Sequence, residues 1–96
     1  MSHSTTTRIE TAKASGYLQQ LCKHFGHKVE TSFTPEKGTI SFPFGTARLA
    51  ADATHLTMTA ETEVAEELEQ LKTVLASHLE RFAFREDLTI RWTERR

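Results

Sequence analysis

Cys22, His24 and His27 stand in a Cys-x-His-x-x-His arrangement, and His78 lies much further along the chain. Thiolate and imidazole suit zinc, copper or iron, so His24, His27 and His78 are candidate ligands for a transition metal or an iron complex. Spacing limits that reading. At ~100° per residue, Cys22 lies about 160° around a helix from His24, and His27 falls past the helix end. The Cys22, His24 and His27 set therefore cannot easily meet one ion, whereas His24 with His27 can if the chain turns back at Gly26. A purely structural reading competes: Cys22 as a small core hydrophobe, His24 as a cation at a helix C-terminus and His27 bonded to nearby backbone. His78 falls near an apolar helical stripe, where a buried imidazole requires a partner.

Arg8, Arg48 and Arg91 form a second candidate group. Strand alternation puts all three on one sheet face, where guanidinium groups suit carboxylate, phosphate or catecholate-like anions. Glu10 and Glu30 share that face and favour ordinary cross-strand ion pairs instead. A threonine-rich open face could also mate with its copy, so a homodimer is the alternative to a ligand site. Arg81, Arg85, Arg91, Arg95 and Arg96 make the C-terminal third basic, although dipole complementation alone explains Arg81 and Arg85.

Catalytic constellations are not in evidence. The chain carries no glycine-rich phosphate loop, no Gly-x-Ser-x-Gly elbow and no His-Glu-x-x-His helix. Glu63, Glu66, Glu67 and Glu69 have the spacing of a solvated helix face rather than of a converging acid and base. Cys22 is poorly placed to be activated by His24. A non-catalytic protein, with no catalytic residue, is the expectation.

Composition narrows the classes further. A formal net charge of −1 offers no general attraction to the nucleic-acid backbone. No apolar run approaches the ~18 residues of a membrane span, and the opening Met1-Ser2-His3-Ser4-Thr5-Thr6-Thr7 lacks the features of a secretory signal. With Cys22 the single cysteine, an intrachain disulfide is excluded, and a reducing cytoplasm fits best. Ninety-six residues, 38% hydrophobic and 26% charged, make one globular domain spanning 1–96, with residues 1–4 expected to be disordered.

The elements that must position these residues follow from periodicity. Thr5 to Thr11 alternates as a first strand with Ile9 inward. Ala14, Tyr17, Leu18, Leu21, Cys22 and Phe25 form the stripe of an amphipathic helix, and Gly26 is expected to end it in a left-handed conformation. Val29, Thr31 and Phe33, then Ile40 and Phe42, alternate around a turn at Pro35-Glu36-Lys37-Gly38. Phe42-Pro43-Phe44-Gly45 reads as a three-residue hairpin with a left-handed Gly45, or, less favoured, as one long strand bulged at Pro43. Ala47, Leu49 and Ala51, then Leu56 and Met58, continue around Asp52-Ala53-Thr54. Val64, Leu68, Leu71, Leu75, Leu79 and Phe82 make the second helical stripe, with Thr62 as N-cap, and Leu88, Ile90 and Trp92 alternate as a last strand.

The order is β-α-β-β-β-β-α-β, which predicts an α+β two-layer sandwich with both helices on one face of an antiparallel sheet. The other face is left polar. A true hairpin at Pro43 makes the helices antiparallel and sends His24 and His78 toward opposite ends, whereas a bulge brings them to the same end.

Three segments carry a resemblance: Gly16-Tyr17-Leu18-Gln19-Gln20-Leu21-Cys22-Lys23-His24-Phe25-Gly26-His27-Lys28, then Ser41-Phe42-Pro43-Phe44-Gly45, then His78-Leu79-Glu80-Arg81-Phe82-Ala83-Phe84-Arg85-Glu86. With the closing Leu88-Thr89-Ile90-Arg91-Trp92, they resemble a small bacterial family known as domain of unknown function 2218. The positions that match its pattern are Tyr17, His24, His27, Lys28, Pro43, Gly45, His78, Arg81, Phe82 and Arg85. The resemblance implies no established activity. It does imply a link to iron, because members of that family tend to be encoded near siderophore-utilisation genes. The combined expectation is a binding or accessory protein for iron or siderophore metabolism with a histidine-containing site.

Overall fold

The computed structural model describes residues 3–95. Strand β1 (His3–Glu10) leads to helix α1 (Ala14–Phe25), then to β2 (Glu30–Phe33), β3 (Lys37–Phe42), β4 (Gly45–Ala51) and β5 (His55–Thr62). Helix α2 (Ala65–Phe82) and strand β6 (Trp92–Arg95) complete the chain. This is the α+β order that periodicity predicts. The strands form one antiparallel sheet in the order β2-β3-β4-β5-β1-β6.

Period decides which side chains enter the core. All six residues of the first helical stripe, from Ala14 to Phe25, are buried, and α2 buries Leu68, Leu71, Leu75 and Leu79. They pack on an inward row that includes Ile9, Ile40, Ala47, Leu49, Leu56, Met58 and Ala60. Each fully buried leucine or isoleucine contributes roughly 1.5–3 kcal/mol of transfer free energy. Gly38 lets α1 lie close to β3, since a Cβ there would stand 2.7 Å from Cys22 Sγ. The polar row opposite runs Ser32, Thr39, Arg48, Thr59, Thr6 and Thr93 across all six strands by register.

Local details depart from expectation at several points. His3 and Ser4, expected in a disordered opening, pair with Thr62 and Glu61 because the alternation of β1 begins before Thr5; residues 1 and 2 lie outside the described residues. Gly26 is right-handed, with φ −61° and ψ −16°. The turn after α1 instead closes through Lys28 and Val29 N–H groups donating to the Phe25 carbonyl. The hairpin at Pro43 is real, but its register pairs Phe42 with Gly45, so the loop has two residues and no positive φ. Gly45 is required for close approach: a Cβ there would sit 2.5 Å from the Glu61 carbonyl.

Thr62 does not cap α2. It ends β5, and its hydroxyl donates to the Val64 carbonyl at 2.7 Å. Val64 itself is exposed and precedes the first helical residue, so it drops out of the expected stripe. Leu88, Ile90 and Trp92 do pack against the core, yet pairing with β1 starts only at Trp92 opposite Thr7.

Candidate functional site

Glu86, in the turn beyond α2, accepts hydrogen bonds from the Tyr17 hydroxyl and, at 3.0 Å, from Thr11. That fixes where the two helices meet. His24 lies seven positions after Tyr17 along α1, and His78 lies eight positions before Glu86, so the two histidines come level. Their ring centroids are 5.0 Å apart with planes tilted 47°. The expectation that a hairpin would send them to opposite ends is thus overturned. It supposed helices with aligned ends, whereas α2 has 18 residues against 12 in α1 and lays its last third beside the C-terminal half of α1, its earlier turns running beyond the end of α1.

Aromatic rings wall this patch. His24 meets Phe25 at 5.2 Å and Phe82 at 5.6 Å, both edge-on. Phe25 also lies 4.8 Å from His78 and 5.1 Å from Phe42, which stacks on Phe44. All three long segments of the family resemblance therefore converge at one place: the end of α1, the Pro43–Gly45 hairpin and the end of α2.

The hydrogen bonding of His78 sets its tautomer. Nδ1 lies 2.7 Å from the Val74 carbonyl, which can only accept, so Nδ1 carries the proton and Nε2 of the neutral ring keeps its lone pair. Backbone support of this kind is how ligating histidines are commonly oriented. His24 has no hydrogen-bond partner among the described residues. Its pKa is lowered from the ordinary histidine value, first by desolvation and then by the basic side chains of His78, Lys28, Arg81 and His27 around it, any charge on which disfavours a second one on His24.

Metal geometry can be tested on these rings. With metal–nitrogen bonds of ~2.1 Å and tetrahedral angles, two imidazole centroids on one ion lie about 5 Å apart. The His24–His78 pair matches that separation. His27 does not complete a triad: among the described residues no three His, Cys, Asp or Glu side chains are grouped to hold an ion. His27 is exposed in the turn after α1. Cys22 lies in the core beneath β3, where burial pushes its thiol up to about 11.

The arginines divide. Arg48 pairs with Glu61 at 3.4 Å, while Arg8 and Arg91 share a groove with Thr6, Thr57, Thr59 and Thr93. Of the remaining motif positions, Arg85 lies 5.4 Å from the centroid of the exposed Phe84 ring. Glu86 was not singled out by sequence reasoning. Its signal was its place at the end of the third resembling segment, but its partners Tyr17 and Thr11 are too distant in sequence for spacing to pair them.

A two-layer α+β sandwich with a histidine pair between its helices defines the class of molecule. The chain belongs to the bacterial family described as uncharacterized protein conserved in bacteria (DUF2218), whose model matches residues 6–93. It is similar over 97% of its length to the structure titled "NMR structure of PA4090 from Pseudomonas aeruginosa", with 38% identity, a TM-score of 0.80 and 96% of that chain covered. No curated protein sequence matches this chain. No helix among the described residues is long and apolar enough to cross a membrane.

Proposed function

We propose that this protein is a non-catalytic binding protein whose ligand is a negatively charged chelate of a transition metal, iron first among them, held at His24 and His78. The observation that carries the reading is the approach of two imidazoles from different helices to 5.0 Å, one of them with Nε2 left free. Two protein ligands are too few to sequester a bare ion tightly, so the remaining coordination positions belong to the chelator. Lys28 and Arg81 place positive charge beside His24, which favours an anionic complex. Phe42 and Phe82, both half-buried beside the histidines, offer apolar surface to an aromatic chelator. The siderophore association implied by the family resemblance makes iron the metal to test. The open sheet face gives self-association less support, because its row is polar throughout while stable homodimer interfaces are more apolar.

The test is retention of iron after incubation with an iron(III)–dihydroxybenzoate complex and gel filtration, read by mass spectrometry. Wild-type protein is expected to retain about one iron per chain and His24→Ala/His78→Ala to lose it. Equal iron in the two proteins, or none in either, sinks the reading.

A further inference from the structure

On the opposite face, antiparallel register has a consequence at the end of β6. Thr6 pairs with Thr93 and Thr7 with Trp92, so the next pair would set Arg8 directly against Arg91. Pairing stops one step short of it. The side chains of residues 88–91 nevertheless keep strand alternation, with Leu88 and Ile90 against the core and Thr89 and Arg91 exposed. The segment is therefore laid out as a strand but does not join the ladder. Like charges directly opposed across strands are destabilising, which accounts for a ladder that ends there.

These two guanidinium groups line one groove with four threonines, and two of the threonine hydroxyls, Thr6 and Thr59, lie 3.1 Å apart. Neither arginine forms an ion pair among the described residues, although Arg48 on the same face pairs with Glu61. We propose that Arg8 and Arg91 form a clamp for an oxyanion, phosphate or carboxylate, and that binding lets β6 zip further along β1. An oxyanion placed between the guanidiniums replaces their repulsion with two charge-assisted hydrogen-bonded contacts. The threonine hydroxyls add donors around it. The clamp is separate from the histidine patch, so either can fail without the other.

The experiment is a titration of 15N-labelled protein with inorganic phosphate and, separately, succinate, against chloride at matched ionic strength. Saturable amide shifts are expected at Arg8, Thr57, Thr59 and Thr93 with phosphate, succinate or both, and which anion saturates identifies the ligand chemistry. Slower amide exchange at residues 89–91 should accompany saturation. Arg8→Gln and Arg91→Gln should each abolish saturation, and Arg91→Gln should slow exchange at those residues without any anion. Arg48→Gln should bind as wild type. Linear shifts no larger than those of chloride overturn the clamp, as does saturable binding that survives in both glutamine variants. Saturation with unchanged exchange overturns the coupling to β6.

Discussion

The seam between α1 and α2 has two unlike ends. At one, Tyr17 and Thr11 donate to Glu86, so the carboxylate and both hydroxyls have partners. Burial, then the Glu86 hydrogen bond and charge, push the Tyr17 hydroxyl up to about 12, while the Tyr17 hydrogen bond leads in holding the Glu86 carboxyl below its usual range. At the other end, His24 stands among His78, Lys28, Arg81 and His27, and among the described residues no carboxylate pairs with them. The first end is built to hold the helices together. The second leaves its basic side chains without a carboxylate, which is the charge arrangement that the proposed anionic ligand requires.

Disturbing the core beneath the two helices should have the largest effect and spare neither end. Leu75→Ala, fully buried in α2, should cost ~2–5 kcal/mol in denaturant unfolding. Gly38→Ala should cost ~1–3 kcal/mol by forcing α1 away from β3. Combining it with Cys22→Ala should cost less than the sum of the two single changes, since the second removes the obstructing sulfur.

Closer to the comparison, Tyr17→Phe should cost about 1 kcal/mol by removing one hydrogen bond at the closed end. It should leave ligand binding at the histidine end unchanged. The sign of its pH effect follows from the raised hydroxyl. The folded state holds the Tyr17 proton more tightly than the unfolded chain, so its contribution is complete below pH 10 and is lost as pH rises through about 12. Alkaline melts should show that loss in wild type and not in Tyr17→Phe. The smallest stability change belongs to His24→Gln, whose side chain is exposed and without a hydrogen-bond partner. Its melting temperature at neutral pH should stay within a degree or two of wild type, while iron-complex retention falls.

Much of this is legible in the amino-acid sequence. The Ala14 to Phe25 stripe gave the first helix with its ends, because six apolar positions at helical period admit one buried face. The open sheet face was legible for the same reason at period two. The histidine end was not, since the approach of His24 to His78 depends on the offset between helices of unequal length, which Glu86 sets from a turn. The start of β6 was hidden too: alternation through Leu88, Ile90 and Trp92 records which side faces the core, and register opposes Arg8 to Arg91.

The central claim is that ligand engages the His24–His78 end and leaves the Tyr17–Glu86 end alone. Long-range proton–nitrogen NMR of the five imidazoles during titration with zinc(II) dihydroxybenzoate, a diamagnetic chelate, reads this directly. The account predicts that His24 and His78 shift together and saturate at one equivalent, while His3, His55 and the Tyr17 amide stay fixed. Shifts that spread over His3 and His55, or that leave His78 unmoved, would contradict it.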